Sequence, residues 1–102
     1  SKVALQGLTL NVARELGAYN ISCNSILPGA INNERGHNLI ERLAKERNQT
    51  IEEAEARRLS YISMRTRIDP SEIGDTAVFL ANAGRHISGQ EIGVCGNSEW
   101  EE

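Results

Sequence analysis

Cysteine is scarce in this 102-residue chain, with Cys23 and Cys95 its only two. Two thiols are too few for a disulfide framework and lack metal-ligand spacing. Both fall in apolar runs, where small buried hydrophobes are expected. His37 and His86 are isolated from each other and from the cysteines, so no metal site is predicted. No apolar run approaches the roughly 20 residues that span a bilayer, and no signal-peptide pattern opens the sequence. The expectation is a cytoplasmic protein without a membrane partner. Basic charge is also short, 11 Lys and Arg against 14 Asp and Glu for a net charge of −3. The basic residues are interleaved with acids, as in Glu41-Arg42 and Lys45-Glu46-Arg47, which argues against the extended cationic surface that nucleic acid requires. The sequons Asn20-Ile21-Ser22 and Asn48-Gln49-Thr50 carry no weight without a secretory context. There is no internal repeat or low-complexity tract. What is present is an ordinary globular composition, 39% hydrophobic and 25% charged, and length for at most one domain.

Val3, Leu5, Leu8, Val12 and Leu16 recur at helical spacing, and Ala4, Leu10 and Ala13 widen the apolar surface beyond one stripe. The pattern predicts a helix over residues 2–16 that must be covered on more than one side, with Gly17 as its stop. Residues 21–27 read as a short strand ended by the turn-forming pair Pro28-Gly29. Loops that contact ligands in parallel sheets begin at such strand ends. Residues 33–63 are the most polar stretch, with Leu39, Ile40 and Leu43 as a narrow apolar stripe. Within it Thr50-Ile51-Glu52-Glu53 has the form of a capping box and predicts a second short helix from Ile51 to about Leu59. Asp69-Pro70-Ser71-Glu72 is a helix start, with Asp69 capping and Pro70 in the first turn, and Ala83-Gly84 closes that helix. Glu91 to Cys95 is a last strand. Strands joined through a long helical crossover are expected to be parallel, and parallel strands are normally buried on both faces. Two strands and one very apolar helix leave surface that further chain or a partner must cover.

These segments, in this order, resemble the second half of the short-chain dehydrogenase/reductase family. The resemblance is carried by Ser1-Lys2-Val3-Ala4-Leu5-Gln6-Gly7-Leu8-Thr9, Ala13 to Gly17, Ile21 to Gly29, Asp69 to Gly74, Val78 to Ala81 and Ile87 to Ile92. It implies an α/β fold: the C-terminal part of a Rossmann-like doubly wound parallel sheet, its last two strands with flanking helices, incomplete without the N-terminal half. Residues 1–102 would form one segment of that domain, with 33–63 as a helical substrate-binding excursion. The implied activity is hydride transfer between NAD or NADP and a small-molecule secondary alcohol or ketone. The family's catalytic tyrosine lies four residues before its lysine, which is Lys2 here; neither Tyr19 nor Tyr61 has that spacing. The resemblance assigns Lys2 a catalytic role beside the phenol and a contact to the nicotinamide ribose. It assigns Pro28, Gly29 and Ile31 to the nicotinamide end of the cofactor, with Asn33 where the family usually has threonine. Cys95 and Asn97 stand where relatives carry aspartate and glycine. The first helix commonly joins an interface between subunits, so a homo-oligomer, dimer or tetramer, is implied for the parent, and this chain alone is expected to be inactive.

Two other readings are open on the residues alone. One is a non-catalytic association module that uses the first helix and the last strand; the other is a free-standing small α/β domain. Arg35, His37, Arg57, Arg58 and Arg65 can form a solvated helical face or meet an anionic group, with the solvated face the simpler reading. Trp100 is expected to be a packing anchor.

Overall fold

Helix α1 spans Lys2–Leu16, as its periodicity predicts, and Gly17 follows its last residue. The chain tightens into a 3-10 turn, Gly17–Tyr19, and the reversal falls on Asn20, whose φ of 61° lies in the left-handed region and whose N–H donates to the Gly17 carbonyl at 3.0 Å. Asparagine tolerates this conformation better than other side-chain-bearing residues. A computed structural model describes residues 2–98, the Lys2 side chain excepted; Trp100 lies outside the described residues.

Strand β1 is Ser25–Pro28, shorter at its start and longer at its end than the apolar run suggests. Residues 21–24 stay outside the ladder, and Cys23 and Asn24 are tethered through side chains instead. The Ser88 hydroxyl accepts from the Cys23 N–H at 3.1 Å, and the Asn24 amide donates to the Ile87 carbonyl at 2.8 Å while accepting from the Gln90 N–H at 3.1 Å. Pairing with β2, Glu91–Val94, is parallel and in register from Ser25 with Glu91 to Pro28 with Val94. Pro28 therefore belongs to the ladder rather than ending it. The Ser25 and Gly29 N–H groups donate to the Gln90 and Val94 carbonyls, and the intervening even-numbered Pro28 sits where an amide would face the opposite edge, so its missing N–H costs this pair nothing. Cys23 and Cys95 are half-buried, not the fully enclosed hydrophobes their neighbours imply.

Helices α2, Glu34–Glu46, and α3, Ile51–Ser60, form a hairpin closed by Ile40, Ala44 and Ala54. The Thr50–Glu53 capping box is present in both directions at 3.1 Å. Helix α4, Pro70–Asn82, begins with a second such box between Asp69 and Glu72. The segment after β2 turns through Gly96 and Asn97, both left-handed, and is pinned by the Ser63 and Met64 N–H groups donating to the Asn97 and Gly96 carbonyls at 2.8 and 3.0 Å. That asparagine adopts the backbone for which a glycine is usually chosen.

The buried apolar residues are few: Ala30, Ile40, Ala44, Ala54, Ile62 and Ile68. They gather around the hairpin and the loops beside it, not around the sheet. Helices α1 and α4 touch β1, yet Val3 is 69% exposed, Leu8 60% and Val78 57%. The radius of gyration is 16.6 Å, with a longest extent of 55 Å. A compact domain of this length would have about 13 Å, so a free-standing globular domain is disfavoured. No helix among the described residues is long and apolar enough to cross a membrane.

Candidate active site

Beyond Pro28 the chain stays against β2 for one more residue. The Gly29 N–H donates to the Val94 carbonyl at 2.9 Å. A Cβ on Gly29 would lie 2.7 Å from the Cys95 Cα, so only glycine lets the two backbones approach this closely. The next three residues are held by the segment preceding α4. The Ile68 N–H donates to the Ala30 carbonyl at 2.7 Å, and the Asn32 N–H to the Ile68 carbonyl at 2.8 Å. Ile31 and Ile68 thereby form an isolated parallel bridge.

Arg67 completes this clamp. Its Nε and Nη2 donate to the two Glu55 carboxylate oxygens at 2.7 and 2.9 Å, and its Nη1 donates to the Ile31 carbonyl at 2.9 Å. The bidentate geometry fixes the guanidinium plane. One side chain, only 10% exposed, therefore ties α3 to the loop after β1. Gly36 makes room for it: a Cβ there would be 2.7 Å from both Arg67 Nη1 and the Ile31 carbonyl oxygen. Gly36→Ala gains about 1 kcal/mol of helix propensity but must displace a pinned guanidinium or the backbone. A net loss of about 1–2 kcal/mol is expected, measured by denaturant unfolding; unchanged or increased stability would show that the clamp yields easily.

The Arg67 hydrogen bond holds the Glu55 carboxyl below its ordinary value, against the opposing effect of partial burial, and the charges of Arg67, His37 and Arg58 add to the lowering. Because the folded value is depressed, the contribution to stability is fully present above the ordinary value of 4.5 and is lost as pH falls below it through the folded value. Wild type is expected to exceed Glu55→Gln by about 1 kcal/mol at neutral pH. The gap should close in acid, and a gap that stays constant with pH would contradict the pairing.

Asn33 is the N-cap of α2, its Oδ1 accepting from the Gly36 N–H at 2.8 Å. The His37 Nε2 lies 2.7 Å from Asn32 Oδ1. Gly29, Ala30, Ile31 and Asn33 line one open cleft of about 1070 Å³, roofed by residues of α2 with Arg58 and Arg67 at its side. Three of the expected cofactor residues thus share a cleft; Pro28 adjoins it at the end of β1, and Lys2 starts α1 with its side chain outside the described part. Sequence reasoning missed Arg67 and Glu55. Their partnership spans 12 residues, and the Arg67 bond to Ile31 spans 36, so no local pattern announces either. Among the described residues no group of three or more His, Cys, Asp or Glu is placed to hold a metal ion.

The sequence profile of the family described as "Enoyl-(Acyl carrier protein) reductase" matches residues 1–96. The chain is 31% identical over 96 residues to the NADPH-dependent reductase BacG of Bacillus subtilis, covering 93% of this chain and 37% of that protein.

The chain belongs to the short-chain dehydrogenase/reductase family.

The (3R)-3-hydroxyacyl-CoA dehydrogenase of Mus musculus is a further relative of this short-chain dehydrogenase/reductase chain, 32% identical over 97 residues, which are 94% of this chain and 33% of that protein. The fold matches the crystal structure of a short chain dehydrogenase family protein from Francisella tularensis with a TM-score of 0.85 and 25% identity, over 93% of this chain and 40% of that one. The chain spans 33 to 37% of the length of these curated relatives. Its two parallel strands and flanking helices are thus a portion of the family's Rossmann-like α/β fold.

Proposed function

We propose that this chain supplies the nicotinamide end and the substrate cover of an NAD- or NADP-dependent oxidoreductase acting on a secondary alcohol or ketone. The observation that carries the reading is the clamped loop Gly29 to Ile31, which leaves a sheet edge and opens directly into a cleft under α2. Crevices at strand ends are the ligand sites of open α/β sheets. The residues present suit a flat amide-bearing ring: backbone at Gly29 and Ala30, the apolar Ile31, Leu39 and Ile40, and the Asn33 amide as a donor. The bound dinucleotide supplies or accepts the hydride. Pro28, Gly29, Ile31 and Asn33 orient its nicotinamide, and residues 33–63 cover the substrate and keep water out.

Lys2 acts at the other side of the reaction. On a helix, residues four apart share a face, and that spacing would bring its ammonium beside the phenol that the family places four residues earlier. The positive charge favours phenolate and brings that group nearer the pH at which it exchanges a proton with the substrate oxygen. The isolated chain does not turn over. The exposed side chains of α1 meet the remainder of the sheet or another subunit, and the parent assembles as a dimer or tetramer. The exposed α1 surface also favours a second reading, a non-catalytic association module.

Titrating the full-length gene product with NADH and NADPH, and then adding a ketone, tests the proposal. Saturable binding of one nucleotide with ketone-dependent oxidation is expected. Subunit assembly without nucleotide binding would favour the association module and overturn the enzyme reading.

A further inference from the structure

We infer that the cleft beside Ile31 takes an anionic substrate, an alcohol or ketone whose carboxylate or phosphate is bound by Arg35, Arg42 and Arg58. This deepens the oxidoreductase reading and rests on it. Four of the chain's 11 basic residues line this one cleft, although the chain as a whole is acidic. Arg67 is spent on Glu55 and the Ile31 carbonyl. The other three form no ion pair among the described residues, and Glu34 is the only acidic residue on the cleft wall. Three guanidinium groups therefore face one carboxylate.

Their placement is convergent. Arg35 and Arg42 are seven residues apart on α2 and share its cleft-facing side with Leu39; Arg58 enters from α3. Arg58 is half-buried without a direct ion pair, and the carboxylate it acts on, Glu55, is already bound at both oxygens by Arg67. A cation withdrawn from water is costly unless something neutralises it, and an anion in the cleft would do so. Planar guanidinium groups match carboxylate and phosphate bidentately, so these anions share one recognition chemistry. Ile31, Leu39 and Ile40 offer the rest of the substrate an apolar wall on the side of the loop assigned to the nicotinamide. The anionic group thus orients the substrate from the end remote from the hydride.

The test has a binding arm and a kinetic arm, both on the full-length protein. Thermal unfolding with saturating NADPH is measured in inorganic phosphate and in chloride at equal ionic strength. Phosphate is expected to raise the Tm of wild type and to lose that effect in Arg35→Gln/Arg42→Gln/Arg58→Gln, with Arg42→Gln alone as a milder variant on an exposed position. No phosphate effect in wild type, or an equal effect in the variants, overturns the inference. Turnover is compared for acetoacetate against its methyl ester and for dihydroxyacetone phosphate against dihydroxyacetone. An anionic-to-neutral ratio of kcat/KM of about 10 or more is expected in at least one pair, falling towards one in Arg42→Gln and at high salt. A ratio near one in wild type overturns it. Phosphate stabilisation that the variants abolish, with no ketone reduced, supports the anion site and sinks the oxidoreductase reading instead.

Discussion

Replacing Lys2 by methionine is expected to lower kcat/KM for ketone reduction by about 10²- to 10⁴-fold, the range that a positioned proton-transfer system contributes. Methionine keeps the length and helix propensity of lysine while removing the charge, so the change isolates electrostatics from folding. On the proposed reading, loss of the ammonium returns the phenol that the family places four residues earlier towards the ordinary tyrosine value of about 10. The pH–rate profile for reduction should therefore shift its falling limb, on which the phenol loses the proton it gives to the ketone oxygen, to higher pH, a displacement that a merely structural role would not produce. Retention of wild-type activity with an unmoved profile would remove Lys2 from the chemistry.

Gly29→Ala is the second large effect, and it acts through the backbone. The new Cβ would lie 2.7 Å from the Cys95 Cα, 2.9 Å from its Cβ and 3.0 Å from its carbonyl oxygen. Two of these are main-chain atoms that no rotamer change can move. The ends of β1 and β2 must separate, breaking the 2.9 Å bond from the Gly29 N–H to the Val94 carbonyl. A loss of about 1–3 kcal/mol is expected by denaturant unfolding. The loop to Ile31 would shift with it, so nucleotide affinity should fall together with stability. Undiminished stability and affinity would mean that the close approach is dispensable.

The parts of the fold set by neighbours in sequence were legible in advance. Thr50 with Glu53, and Asp69 with Glu72, each read as a helix start and each forms the reciprocal cap. The two parallel strands followed from the length of the helical crossover between them. Boundaries decided by tertiary tethers were not legible. The strand-like run starts at Ile21, yet Cys23 and Asn24 bond to residues 87–90 outside the ladder. Pro28 looked like a terminator, and only the direction of its absent amide shows why it is tolerated.

The site divides in the same way. Gly29 and Ile31 follow the strand end that the Pro-Gly pair marks, and both line the cleft. Asn33 was visible as a polar group, but its capping bond to Gly36 is a local signal that the comparison with threonine obscured. Arg67 stood among several arginines with nothing in the sequence to distinguish it. Its role arises from the convergence of α3, the loop after β1 and the approach to α4 on one guanidinium.

Isotope transfer reads hydride movement directly. NADPH and NADH, each carrying deuterium at C4 of the nicotinamide in one stereochemical position at a time, are incubated with the full-length protein and a ketone. One deuterium at the carbinol carbon of the product, delivered from a single face of the ring, is the predicted result. Product free of deuterium from every labelled nucleotide, or no product while the nucleotide stays bound, would contradict the assignment of this chain to a hydride-transferring site.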